Sequence, residues 1–136
     1  MRNNLNNYAN VVHAIDPAST SGATTTSAAI DTNGYDELLL IGQAGAIGGT
    51  SIKWHIEDCA TSGGSYAAIT GAATDAETVA TATYMGRLDL DGAERYIKVV
   101  QTTVGAALGG ACVVLSCKKE LPSGMTTQFD VTDGSA

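Results

Sequence analysis

"LLLIGQAGAIGGTSIKWHIED", residues 38–58, carries the reading of the fold. An apolar run enters a glycine-rich bend and a second run leaves it. The second run alternates: Ile52, Trp54 and Ile56 point one way, Lys53, His55 and Glu57 the other. A period of two with one wet face is the mark of an antiparallel strand. The bend between the runs does not fit a phosphate loop. Its glycines Gly42, Gly45 and Gly48 fall at relative positions one, four and seven, where a dinucleotide loop needs one, three and six followed by a helix. The chain also has no Gly-Lys-Ser or Gly-Lys-Thr. The bend is therefore expected to be a flexible loop that turns the chain between antiparallel strands.

The same period recurs outward from this stretch. "YMGRLDL" (84–90) sets Tyr84, Leu88 and Leu90 against Met85, Arg87 and Asp89, and in "ACVVLSCK" Val113, Leu115 and Cys117 share a face. "ELLLIG" (37–42) and "RYIKVVQTTV" (95–104) are apolar on both faces, as strands between two layers are. Their second cover is an opposing sheet with loops, or another subunit. Further strands are expected near 23–30 and 65–70. "AATDAETVATAT" (72–83) is the one helix candidate, and its Thr and Val content argues against it. "LDGAERY" (90–96) reads as a hairpin turn built on Asp91-Gly92. Seven or eight short strands with Gly, Asp and Ser turns indicate an all-β, jelly-roll-like antiparallel β-sandwich. It occupies residues 21–122, between a polar N-terminal arm at 1–20 and a polar C-terminal tail at 123–136.

Composition narrows the function. Charged residues are 15% of the 136, against roughly 25% in soluble domains, which suggests surface meant to be covered in an assembly. The formal charge of -7 makes nucleic acid and membrane surfaces poor partners. No stretch approaches the ~20 apolar residues that cross a bilayer, and "MRNNLNNYANVVHAIDP" (1–17) has no apolar core of signal-peptide length. The expectation is synthesis and retention in a cytoplasm until lysis.

Catalytic and metal chemistry are not expected. His13 and His55 are the only histidines and lie far apart, and no G-x-S-x-G occurs. "DLDG" (89–92) resembles the start of a calcium loop, but Ala93 and Arg95 follow where further oxygen ligands belong, so a turn is expected. Cys59, Cys112 and Cys117 have neither disulfide-framework nor zinc spacing and read as buried free thiols. Trp54, on the apolar side of its strand, is expected in the core and not on a sugar platform.

The order of segments "SGATTTSAAIDTNGYDELLLIGQAGAI", "TSIKWHIEDCATSGGSYAAI", "YMGRLDLDGAERYIKVVQTT" and "ACVVLSCKKELP" resembles the jelly-roll capsid decoration, or cement, proteins of tailed bacteriophages. The likeness covers about residues 21–122, and Cys59 departs from it in a turn where serine or aspartate is more usual. The resemblance implies a non-enzymatic virion protein. It would stand as a homotrimer on the outer capsid surface, lock major capsid protein subunits together and use no cofactor. No catalytic or metal residue is carried over by it. The candidate capsid contacts lie in the arm: Tyr8, Val11, Val12, His13 and Ile15, which could order on a partner as an added strand. The rival readings are a carbohydrate-binding jelly-roll module and a head-completion or tail component.

Overall fold

The computed structural model describes residues 9–116 and the backbone of 130–131. Ten strands account for its regular structure: β1 (Ala9–Ser21), β2 (Thr24–Thr26), β3 (Ile30–Asp31), β4 (Glu37–Ile47), β5 (Ser51–Cys59), β6 (Ala67–Ala73), β7 (Ala82–Asp89), β8 (Tyr96–Val104), β9 (Ala106–Ser116) and β10 (Asp130–Val131). They form two sheets. The front sheet runs β1-β9-β4-β7-β10 and the back sheet β2-β8-β5-β6, with β3 also on β8. All pairings are antiparallel except the two-residue β10–β7 pair. Facing orders of 1-9-4-7 and 2-8-5-6 make a jelly-roll-like β-sandwich.

The core lies between the sheets and follows the expected alternation. Leu38, Leu40, Ile52, Trp54, Ile56, Leu88, Ile97, Val99 and Val113 are fully enclosed. Trp54 packs its ring 5.9 Å from that of Tyr84 and donates Nε1–H to Gln101 Oε1 at 2.8 Å, which gives the buried indole N–H a partner. Opposite it, a Cβ on Gly42 would stand 2.7 Å from the indole. The first glycine of the bend therefore makes room for the tryptophan.

The bend itself corrects the sequence expectation in two ways. Gly42 and Gly45 lie within β4, so the turn is confined to Gly48, Gly49 and Thr50. And β4 and β5 belong to different sheets, so the turn carries the chain across the sandwich and closes no hairpin. Three connections cross at this corner. β1 passes into β2 through Gly22 (φ 57) and β8 into β9 through Gly105 (φ 74), with Gly22 N–H donating to Gly105 O at 3.2 Å. Gly49 N–H donates to Ala106 O at 2.7 Å. A Cβ on Gly49 would lie 2.5 Å from Gly105 Cα, and one on Gly105 2.7 Å from Gly49 Cα. The backbones meet there at a distance that only glycine permits.

Other expectations also change. "LDGAERY" does turn, with Gly92 at φ 87 and Ala93 N–H on Leu90 O, but it joins β7 of the front sheet to β8 of the back. Residues 72–83 form no helix; they end β6, bridge Ile52 at Glu77 and begin β7. The expected arm is, from Ala9 onward, the edge strand of the front sheet, in register with β9 from Ala9↔Ser116 to Ser21↔Ala106. Strand pairing thus begins well before residue 21. Its ladder shifts between His13 and Ile15 and again between Ile15 and Ala18, around the Asp16-Pro17 step.

Candidate binding surface on the front sheet

With Leu38, Leu40, Leu88, Val113 and Leu115 turned inward, the residues between them form the outer face of the front sheet. Register sets them in rows. Val11, Val114, Leu39 and Arg87 make one, and His13, Cys112, Ile41 and Met85 the next. Beyond these, Gly110, Gln43 and Thr83 align, and Leu108 stands opposite Ser19. Val11 is 68% exposed and Leu108 39%, while Leu39, Ile41, Met85, Cys112 and Val114 are half-buried. This face is apolar at its centre.

Charges on it lie toward the margins, where Glu37, Arg87 and Asp89 come together in register and Asp16 stands beside His13. Arg87 Nη2 donates to Glu37 Oε1 at 2.5 Å near one corner, both side chains largely buried. His13 Nε2 lies 2.7 Å from Asp16 Oδ1 on the exposed opposite edge. Between the two, an open hollow of about 440 Å³ is lined by His13, Pro17, Ile41, Gln43, Leu108 and Cys112. It is concave because Gly45 and Gly110 line it without side chains and β1 bulges at Pro17. A Cβ on Gly110 would touch Ile15 O and Pro17 at 3.0 Å. Thr81 forms part of the rim at φ 56, a conformation costly for a β-branched residue, with its N–H on Gly45 O at 2.9 Å. Partial burial pushes the Cys112 thiol above its ordinary pKa.

The back sheet's outer face has a different chemistry. Lys53, His55, Glu57 and Lys98 project from it, with Lys98 opposite Glu57 in register and His55 Nε2 3.2 Å from Glu57 Oε1. Asp31 takes two hydrogen bonds from Arg95, at 2.9 and 2.8 Å. These bonds and one from Asn33 N–H hold its carboxyl down to about 2. Lys98 Nζ sits 4.4 Å from the centre of the Tyr66 ring, and Arg95 lies 5.2 Å from that of Tyr96. The face is polar and mixed in sign.

The predicted contact residues divide among these environments. Val11 and His13 lie on the front face, Ile15 is 3% exposed and belongs to the core, Val12 packs against the core, and Tyr8 lies outside the described residues. The described ones do not share one face, because strand alternation sends neighbours to opposite sides. Leu39, Ile41, Met85, Leu108 and Val114 were not singled out, although the doubly apolar "ELLLIG" run was the signal for two of them. Cys59 and Cys112 are half-buried and not enclosed, because each sits on a solvent-facing side or strand end; Cys117 lies outside the described residues. Among the described residues no three His, Cys, Asp or Glu side chains are grouped to hold a metal. Asp89, in the "DLDG" turn, instead accepts from Asp91 N–H at 3.0 Å. The sequence matches no known family model and no curated protein.

Proposed function

We propose that this chain is a structural virion protein, a decoration or cement protein that binds the outer surface of a phage capsid as a homotrimer and stabilises the shell. The observation that carries the reading is the outer face of the front sheet, apolar at its centre and backed by the core of the two-sheet frame. Such a face is suited to contact with other protein surfaces. The segment order resembling decoration proteins and the 15% charge content support it further. A ligand that binds the assembled shell and not its separated subunits stabilises the shell by mass action, and a trimer engages several sites at once and gains avidity.

The test is a cryo-reconstruction of the source virion together with shell melting in the presence and absence of the protein. Density on the outer surface and a raised melting temperature are expected. A bare shell at full resolution would remove the assignment. The carbohydrate reading is less well supported, since Trp54 is enclosed and the faces of Tyr66 and Tyr96 already carry Lys98 and Arg95. Saturable binding to one sugar class on a glycan array would reverse that order. A head-completion or tail component would instead show a few copies per particle.

A further inference from the structure

Two short connections built on one pattern meet at one end of the sandwich. Asp31-Thr32-Asn33-Gly34 leads from β3 to β4, and Asp89-Leu90-Asp91-Gly92 leads from β7 to β8. Both fold in the same way. The first aspartate accepts a hydrogen bond from the third residue's N–H at 3.0 Å, Asp31 from Asn33 and Asp89 from Asp91. The glycine takes positive φ, 91 at Gly34 and 87 at Gly92, and the next N–H returns to the second residue's carbonyl at 3.1 Å. Leu90 N–H on Asp36 O and Thr32 N–H on Arg95 O tie the two turns together. At the third position, however, one turn holds an amide and the other an acid. Asn33-Gly34 is the chain's one Asn-Gly pair, and glycine's missing Cβ leaves its nitrogen unshielded from the preceding side chain. Asn33 and Gly34 are exposed, and among the described residues neither the Asn33 carboxamide nor the Gly34 N–H has a hydrogen-bond partner. A Cβ on Gly34 would meet nothing within 4 Å, so no neighbour closes the approach. Asn10, by contrast, lies within β1 and precedes the branched Val11.

We propose that Asn33 is a site of self-modification, its amide converted to a carboxylate by the chain's own backbone and water. The Gly34 nitrogen attacks Asn33 Cγ. The N–Cγ bond forms, the Cγ–Nδ2 bond breaks, and Nδ2 leaves as ammonia with the proton that the Gly34 amide gives up. Water then opens the cyclic imide at either carbonyl, and no electrons are gained or lost. One opening leaves aspartate on an unchanged backbone. The other leaves isoaspartate, with the chain running through Cβ. The aspartate product repeats the pattern of Asp89–Gly92, a turn this fold already holds. The isoaspartate product lengthens the backbone inside the turn closed by Thr32 O and Tyr35 N–H, and so loosens it. Either product adds a negative charge to a chain of formal charge -7, beside the Asp31–Arg95 pair. This chemistry needs no shell, trimer or other partner.

The test incubates the full-length protein at neutral and at mildly alkaline pH and follows it by ion exchange and peptide mass mapping. A more acidic species is expected, formed faster at the higher pH because the Gly34 amide must lose its proton. The gain in mass should be confined to the peptide containing Asn33, and enzymatic methylation specific to isoaspartate should label that peptide. Asn33→Gln is expected to lose the acidic species, since its longer side chain disfavours the ring. Asn33→Asp, which is the aspartate product, should keep the wild-type melting temperature by Trp54 fluorescence, while the isoaspartate fraction melts lower. The same incubation in urea gives the reaction of the unfolded chain. An Asn33 peptide that reacts in urea and stays unchanged in the folded protein would overturn the proposal, because the turn would then protect the residue. So would an acidic species that persists in Asn33→Gln or maps only to another residue.

Discussion

The two outer faces of the sandwich are built on the same backbone scheme yet differ in what they can touch. Both back the same core, and both alternate with enclosed residues at a period of two. On the back sheet the outward positions hold Lys53, His55, Glu57 and Lys98, which water and each other satisfy. On the front sheet they hold Val11, Leu39, Ile41, Met85 and Val114, which water does not favour. A sandwich needs one apolar face per sheet; the front sheet has two. That second apolar face is the one the proposed assembly would cover.

The contrast depends on the corner that turns the strands from one sheet to the other, and breaking that corner should have the largest effect. Gly105→Ala puts a Cβ at positive φ and 2.7 Å from Gly49 Cα, with about 3 kcal/mol of destabilisation expected in urea unfolding. Gly22→Ala, also at positive φ but with nothing within 4 Å, should cost only about 1 kcal/mol. The core that both faces share comes next. Gly42→Ala drives a methyl into the Trp54 ring and should cost about 2 kcal/mol, with a shift in Trp54 emission.

Substitutions on the back face should be smaller in effect and silent in association. Glu57→Lys sets like charges opposite Lys98 and should cost about 0.5 kcal/mol, with no change in solution mass. A change in mass would blur the distinction between the faces. The smallest effect concerns Asp31. Its carboxyl is lowered from 3.8 to about 2, so the stability it contributes is present above its ordinary value and lost as pH falls through about 2. Arg95→Ala should return the Asp31 titration, followed by NMR, toward 3.8 while leaving association intact.

Much of the fold was legible because alternation reports directly on burial. Ile52, Trp54 and Ile56 are enclosed and Lys53 is exposed, as the pattern requires. What alternation does not encode is which sheet a strand joins, and so both the glycine bend and "LDGAERY" read as hairpins when they cross the sandwich. The edge strand β1 was hidden for another reason. Its two register shifts break the phase of the pattern, and Asn10, Asp16 and Pro17 suit a free arm as well as a guarded edge. The candidate surface was half legible: the doubly apolar run implied a second cover for Leu39 and Ile41. Val114, Met85 and Leu108 join them only through pairing that brings together strands distant in the chain.

The most direct measurement is the solution mass of the full chain at micromolar concentration, in low and in high salt. A trimer at about 41 kDa, three times 13.8 kDa, is predicted, and it should tighten as salt screens the repulsion between copies of charge -7. A 13.8 kDa species in both conditions would contradict the account, since the apolar front face would then remain open to water in the free protein.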